Sequence, residues 1–213
     1  MTTVSIVDLS RFGAIIFDFD GVLVDSETLQ ARAWTRVAQE LQLEKIVTAQ
    51  DIAGKIDEDI VYELFPREKA AWCRDRKWCV ESEMVAAGEL EAIADTVHFA
   101  QRMSRTHRLA ICSSSRRENI LNRLEPLGIA PLFHTIMGRR DGVPHKPAPD
   151  HYLLTLEALS LEAREACAIE DSPPGVAAAK AAGIFTIQLQ HDYLPRAAAA
   201  DLHVRSLREL IAD

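Results

Sequence analysis

The chain has little of what marks membrane, secreted or nucleic-acid-binding proteins. No apolar stretch in its 213 residues approaches the roughly 18 residues that a membrane-spanning helix requires. Residues 1–5 (MTTVS) lack the basic and apolar regions of a secretory signal. The formal charge of -8 argues against electrostatically driven binding to nucleic acid or to a membrane surface. We therefore expect a cytoplasmic protein with neither partner.

Cysteines are also few. There are four, with no C-x-x-C pair, and Cys112 and Cys167 lie in apolar runs, where they are interpreted as small core residues. A reducing compartment is the simplest interpretation. The sequence has no repeat, heptad run or low-complexity segment, and the absence of a strongly apolar exposed helix favours a monomer. Its length suits one core carrying a smaller lobe.

Short apolar runs alternate with helical patterns in the second half of the chain. Strands are predicted at residues 14–17, 108–113, 133–137, 166–170 and 184–189, and helices at 114–127, 149–159, 173–182 and 206–211. A Ser206/Glu209 capping box supports the last helix. Such alternation predicts an α/β fold with a doubly wound, Rossmann-like parallel sheet.

Residues from about 25 to 94 follow a different pattern, because they contain helical periodicity and no convincing strand. Segments 26–43 and 67–87 carry apolar residues at helical spacing, and Trp34, Trp72 and Trp78 are predicted to pack this region. We therefore expect a catalytic core of residues 1–24 and 95–213. The all-helical cap of residues 25–94 is expected to act as a lid.

The most informative feature is a pair of aspartates at the end of the first apolar run. Asp18 and Asp20 follow the strand candidate Ala14–Phe17, and side chains two residues apart in an extended segment point the same way. Burying an unpaired carboxylate is costly. Two like charges so close favour a divalent cation, or pKa values split between acid and base roles.

Other strands also end in polar groups on their carboxyl side. Ser113 ends the second strand, Glu170 and Asp171 end the strand at 166–170, and Lys146 lies in the loop after the strand at 133–137. In a parallel sheet all carboxyl ends share one edge. Carboxylates there suit Mg²⁺, and a hydroxyl and a lysine suit a phosphate. The combination predicts phosphoryl transfer through an aspartyl phosphate.

Four short motifs resemble those of the haloacid dehalogenase superfamily. They are DFDGVLVDS from Asp18, the serine Ser113, Lys146 in the form K-P-x-P-D, and EDSPPG from Glu170. The helical insertion is similar to the small cap of the phosphatase and β-phosphoglucomutase branch. The resemblance therefore extends along the whole chain.

The resemblance implies a role for each motif residue. Asp18 would attack phosphorus, and Asp20 would protonate the leaving oxygen and later activate water. Ser113 and Lys146 would hold the phosphoryl oxygens, and Lys146 would also neutralise Asp18. The implied Mg²⁺ ligands are Asp18, the backbone carbonyl of Asp20, Asp171, and Glu170 either directly or through a neighbour.

Asp20 argues against two other chemistries of the superfamily. Dehalogenases lack this second aspartate, and phosphonate hydrolases usually carry alanine there. The mutase subgroup shares Asp20 but has a histidine where this chain has Gln30, and an arginine where it has Asp57. We therefore expect a Mg²⁺-dependent phosphatase for a small phosphorylated metabolite, either a sugar phosphate or a sugar-acid phosphate. The alternatives are a β-phosphoglucomutase-like phosphomutase and a non-catalytic phosphometabolite-binding relative.

Some residues have two interpretations. Lys55 lies in segment 54–59, where relatives carry a substrate-specificity loop. In one interpretation its side chain contacts the leaving group of the substrate. In the other it lies in solvent at the start of a helix. Ser115 with Glu118 is interpreted as a capping box. Ser172 and Asp25 are interpreted as helix N-caps.

Overall fold

The computed structural model describes residues 7–53, 55 and 57–211. The strands are β1 (Ala14–Phe17), β2 (Arg108–Arg116), β3 (Thr135–Arg139), β4 (Ala166–Glu170), β5 (Phe185–Leu189) and β6 (Leu202–Val204). The helices are α1 (Ser26–Glu40), α2 (Ala49–Ile52), α3 (Asp57–Leu64), α4 (Ala70–Ala86), α5 (Ala94–Met103), α6 (Arg117–Leu124), α7 (Asp150–Leu159) and α8 (Pro173–Ala181).

The strands form one six-stranded sheet in the order β3-β2-β1-β4-β5-β6, and every neighbouring pair is parallel. All four residues of β1 are buried, because this apolar strand lies between β2 and β4. The chain runs outward from β1 to β3 and then returns to the other side of β1 with β4. The carboxyl ends of β1 and β4 therefore flank the switch point, where open α/β sheets bind ligands.

Both faces of the sheet are covered, as expected for a doubly wound fold. On one face Ala14 and Ile16 pack in a buried cluster with Tyr152 of α7 and Ala178 of α8. On the other face the ring of Phe17 lies edge-on to Phe99 of α5, with ring centroids 6.2 Å apart. The predicted α/β class and parallel sheet are confirmed.

The chain divides into two compact units, Val24–Glu91 and the two segments Met1–Leu23 and Ala92–Asp213. In the smaller unit the described residues form α1 to α4 and no strand. Trp34 is fully buried against Phe65, with ring centroids 5.3 Å apart. Trp72 and Trp78 are 44% and 56% exposed, so their predicted packing role is wrong. They lie off the buried stripe of α4, which includes Cys73, Val80 and Met84.

The element bounds differ from prediction mainly after β2. This strand runs on to Arg116 with a register shift against β3 after Cys112, so α6 starts later than predicted and ends at Leu124. The predicted last helix is a 3-10 turn, Leu207–Leu210, although the Ser206/Glu209 capping box is present. Strand β6 was not predicted, because three residues are too short to show a pattern. None of the helices within the described part of the chain has the length and apolarity to span a bilayer.

Candidate active site

Asp18 comes directly after β1 and is held at the switch point. Its backbone N–H donates to the carbonyl of Ile169 in β4 at 2.9 Å, which extends the β1–β4 ladder by one residue. Its side chain is buried, and its Oδ1 accepts a hydrogen bond from Lys146 Nζ at 2.8 Å. The carboxylate is therefore fixed in orientation and paired with a cation.

Lys146 connects three neighbouring strand ends through its ammonium group. Nζ donates to Asp18 Oδ1 at 2.8 Å, to the Cys112 carbonyl at 2.9 Å and to Glu170 Oε1 at 2.6 Å. An ammonium has three N–H groups, and these contacts use all of them. In this arrangement Lys146 neutralises buried carboxylates, and a contact with a phosphoryl oxygen requires one of the three bonds to open.

Glu170 ends β4 and is fully buried. Its Oε1 accepts from Lys146 and also from the hydroxyl of Tyr152 at 2.5 Å. Its Oε2 is buried without a hydrogen-bond partner. A Cβ at position 175 would lie 1.9 Å from this oxygen, so any residue other than glycine here would displace the Glu170 carboxylate from its present position.

A divalent cation fits the carboxylates at this edge. Asp18, Glu170 and Asp171 are all buried, and each offers an oxygen within 4.8 Å of the others. The unpartnered Oε2 of Glu170 and the sharing of Lys146 by Asp18 and Glu170 both favour a bound cation. An all-oxygen donor set is the set that Mg²⁺ prefers.

The pKa values reflect this crowding of charge. Burial raises the pKa of Asp18 to about 8; Lys146 opposes the shift, and the charges of Glu170 and Asp20 add to it. Burial alone would lower the pKa of Lys146, but Asp18 and Glu170 outweigh it, so this pKa is raised above its ordinary value. The lysine therefore stays charged, while without a metal ion the Asp18 carboxyl binds a proton readily.

Asp20 has separate partners, although it lies only two residues from Asp18. Its Oδ2 accepts from the Ser115 hydroxyl at 2.7 Å, and its Oδ1 accepts from Arg123 Nη1 at 3.1 Å. Its side chain is 26% exposed. The residue after it, Gly21, has φ of 73°, a left-handed conformation that glycine adopts without strain.

These contacts correct the interpretation of Ser115. It was predicted to cap the following helix with Glu118, but α6 has Arg116 at its N-cap position and no side-chain cap bond there. The register shift in β2 carries Ser115 to Asp20 instead. The predicted caps at Asp25 and Ser172 are confirmed, since each accepts from a backbone N–H in the first turn of its helix.

Ser113 lies at the same edge and is almost fully buried. Its Oγ accepts the backbone N–H of Ser115 at 3.0 Å, which fixes the oxygen. A hydroxyl that accepts can still donate its own hydrogen, and a phosphoryl oxygen is a suitable acceptor.

Lys55 belongs to the smaller unit. Its Nζ pairs with Glu63 at 2.5 Å, and its neighbours Gly54 and Ile56, part of the segment predicted to set specificity, lie outside the described residues. Its predicted contact with a leaving group stays a prediction.

Replacing Tyr152 with Phe is expected to lower the free energy of unfolding by about 1–3 kcal/mol, because it removes a hydrogen bond to a buried carboxylate. Urea denaturation of wild type and Tyr152→Phe measures the difference. The exposed Tyr62 provides the control, and Tyr62→Phe should change stability little. Equal effects of the two substitutions would contradict the assigned bond.

His151 ties down the loop that carries Lys146. Its Nδ1 must donate to the Pro144 carbonyl at 3.0 Å, so its Nε2 accepts the Arg140 backbone N–H at 3.3 Å. Only the neutral ring makes both bonds. Burial is the main cause that lowers the pKa of His151, with the positive charge of Lys146 contributing.

We therefore expect stability to fall as pH drops below about 6.5, the ordinary histidine value. Below it the unfolded chain binds a proton that the folded ring resists, so acidification favours unfolding. Urea denaturation at about pH 7.5 and about pH 5.5 should show a smaller loss for His151→Asn than for wild type. The comparison cancels the other histidines, and equal losses would refute this role of His151.

Ser115, Arg123 and Tyr152 are the residues near the site that the sequence did not reveal. Ser115 carried a misleading capping pattern, and Arg123 and Tyr152 lie on helices whose facing could be known only from the fold. The parallel topology brings four motif residues together, as predicted: Asp18, Lys146, Glu170 and Asp171.

The chain is similar to several known proteins. A profile described as haloacid dehalogenase-like hydrolase matches residues 15–189. A phosphorylated carbohydrates phosphatase of Thermotoga maritima is 30% identical over 82% of this chain and 83% of its own. A β-phosphoglucomutase of Bacillus subtilis is 26% identical over 82% and 81%.

A solved structure is also similar over nearly its full length. The crystal structure of CbbY from Rhodobacter sphaeroides in complex with phosphate has a TM-score of 0.71 and 26% identity, covering 93% of this chain and 96% of that one. The profile match covers well over half of the chain. The chain belongs to the haloacid dehalogenase-like hydrolase family, and is a phosphatase or phosphomutase related to sugar phosphate phosphatases.

Proposed function

We propose that this chain is a Mg²⁺-dependent phosphatase that hydrolyses a small sugar phosphate or sugar-acid phosphate through a phosphoryl group carried on Asp18. The observation that carries the proposal is that two carboxylates only two residues apart have different surroundings and different partners. Asp18 is buried and paired with Lys146, whereas Asp20 is a quarter exposed and bonded to Ser115 and Arg123. One carboxylate is thereby suited to attack, and the other to proton transfer.

In the first step an oxygen of Asp18 forms a bond to phosphorus, and the bond from phosphorus to the substrate oxygen breaks. Asp20 gives its proton to that leaving oxygen. In the second step water attacks phosphorus, Asp20 takes a proton from the water, and the bond to Asp18 breaks. The products are the free alcohol and inorganic phosphate, and Asp18 is regenerated.

The metal proposal follows from the carboxylate cluster. Asp18, Asp171, Glu170 and the backbone carbonyl of Asp20 would hold Mg²⁺. When bound, the ion would offset negative charge on the phosphoryl oxygens and on the clustered carboxylates. Ser113 would donate a hydrogen bond to a phosphoryl oxygen. Lys146 would keep Asp18 aligned.

The substrate class rests on the relatives, which include a phosphorylated carbohydrates phosphatase. A β-phosphoglucomutase is the second candidate, because a relative bears that name. Gln30 and Asp57, which stand where the mutase subgroup has histidine and arginine, both bond to the buried Lys77, at 3.2 and 3.3 Å. Both side chains bond within the helical unit, and neither is the residue that the mutase subgroup has at that position. This favours hydrolysis over mutase chemistry.

The test is phosphate release from p-nitrophenyl phosphate and from a panel of phosphorylated sugars, polyols and sugar acids. We expect turnover that needs Mg²⁺ and is lost in EDTA. Conversion of β-glucose 1-phosphate to glucose 6-phosphate without phosphate release would establish the mutase instead. Binding of phosphorylated sugars without turnover of any ester would indicate a non-catalytic relative.

A further inference from the structure

Arg123 is the feature that the proposed chemistry leaves unused. It lies near the end of α6, and its guanidinium donates to Asp20 Oδ1 at 3.1 Å, while Ser115 holds the other oxygen at 2.7 Å. Its side chain is only 16% exposed, so the pair is partly shielded from solvent and from screening by salt. The guanidinium of this long side chain is thus held against the Asp20 carboxylate.

The cations near the site are divided between the two aspartates. Lys146 is bonded to Asp18 and Glu170, with its third N–H on a carbonyl. Arg123 is bonded to Asp20. Without Arg123, Asp20 would face the negative charge of Asp18, two residues away, with the neutral Ser115 hydroxyl as its remaining side-chain partner. Repulsion would then favour side-chain rotamers that move the Asp20 carboxylate away.

We propose that Arg123, together with Ser115, is a positioning residue that holds the Asp20 carboxyl where it exchanges a proton with the leaving oxygen and with water. The proposal rests on the function proposed above, in which Asp20 is the acid and base. Each Asp20 oxygen carries one of the two holding bonds, and a carboxylate oxygen has two lone-pair sites. One site on each oxygen therefore stays free, and either can carry the transferred proton.

The nature of the leaving group supplies a readout that a merely structural role would not change. An alkoxide leaves poorly unless it is protonated, whereas p-nitrophenolate leaves readily without a proton. Losing the position of Asp20 therefore affects alkyl esters more than aryl esters. Misplaced general acids typically cost about 10- to 100-fold in rate.

The experiment compares kcat/KM for p-nitrophenyl phosphate and for the sugar phosphate that wild type hydrolyses fastest. Arg123→Met should lose about 10- to 100-fold on the sugar phosphate and less than about threefold on the aryl ester. Arg123→Lys should recover part of the loss. Arg208→Met removes another ion-paired arginine, bonded to Asp95 at 2.6 Å, and should change neither rate.

A double-variant cycle links the effect to Asp20. Adding Arg123→Met to Asp20→Asn should cause little further loss, because residues that act through one group are not additive. If Arg123→Met does not fold, Ser115→Ala should show the same preference for the aryl ester. Equal losses on both esters, no loss, or full additivity with Asp20→Asn would overturn the role of Arg123.

The outcomes separate this proposal from the function on which it rests. If Asp20→Asn lowers kcat/KM equally for both esters, the assignment of Asp20 as the acid is wrong. The role of Arg123 is then refuted as well. If Asp20→Asn lowers kcat/KM mainly for the sugar phosphate, while Arg123→Met lowers it for neither ester, the proposed function stands. Only the role of Arg123 is then refuted.

Discussion

Replacing Asp18 with Asn is expected to lower kcat by about 10⁴-fold or more, the scale on which removal of a covalent nucleophile acts in other enzymes. Asparagine keeps the shape and can still accept from Lys146 at the position of Oδ1, but its amide does not attack phosphorus. Phosphate release at saturating Mg²⁺ measures the loss. Activity within tenfold of wild type would remove the proposed nucleophile.

Stability should respond to the same substitution in the opposite direction. Asp18 shares one lysine with Glu170, and burial already raises the pKa of Asp18 to about 8. Asparagine carries no charge and needs no bound proton in this buried cluster, so the metal-free variant should be at least as stable as wild type near neutral pH. Asp192→Asn, at an exposed ion pair with Arg205, is the matched control and should leave both activity and stability unchanged.

Replacing Lys146 with Met should have the largest effect on stability, with a loss of about 3–5 kcal/mol, because breaking a buried ion pair leaves its partners uncompensated. Its removal leaves Asp18 and Glu170 buried without their shared cation. Activity should fall as well, since the nucleophile loses the group that orients it. Urea denaturation and phosphate release on one preparation measure both losses.

Lys180 provides a control at the same ion-pair distance. Its Nζ lies 2.6 Å from Asp201, but both side chains are about 30% exposed. Exposed ion pairs contribute about 0–1 kcal/mol to stability, so Lys180→Met should lower the free energy of unfolding only slightly. Comparable losses in the two variants would mean that burial of the Lys146 cluster does not govern its contribution.

The sequence allowed the sheet edge to be predicted because its signals are local. Four consecutive apolar residues mark β1, polar residues follow each strand abruptly, and parallel strands place their carboxyl ends together. Asp18, Lys146, Glu170 and Asp171 could therefore be grouped without a structure. The bond from Tyr152 to Glu170 could not, because it depends on how α7 is rotated against the sheet.

Errors arose where a local pattern competed with tertiary geometry. Ser115 and Glu118 have capping-box spacing. Because of the register shift in β2, however, the helix begins only at Arg117, and the Ser115 hydroxyl donates to Asp20. Arg123 drew no prediction from the sequence, and only the fold reveals its contact with Asp20. The helical spacing of Trp72 and Trp78 predicts a packing role, whereas the buried stripe of α4 passes beside them.

The most direct test is mass spectrometry of the enzyme after acid quenching during turnover of p-nitrophenyl phosphate with Mg²⁺. The account predicts a fraction of the protein carrying one phosphoryl group, located by peptide mapping to Asp18. The adduct should be absent from Asp18→Asn and enriched in Asp20→Asn, where the water step is slowed. A phosphoryl group on another residue, or steady turnover by Asp18→Asn, would contradict the account.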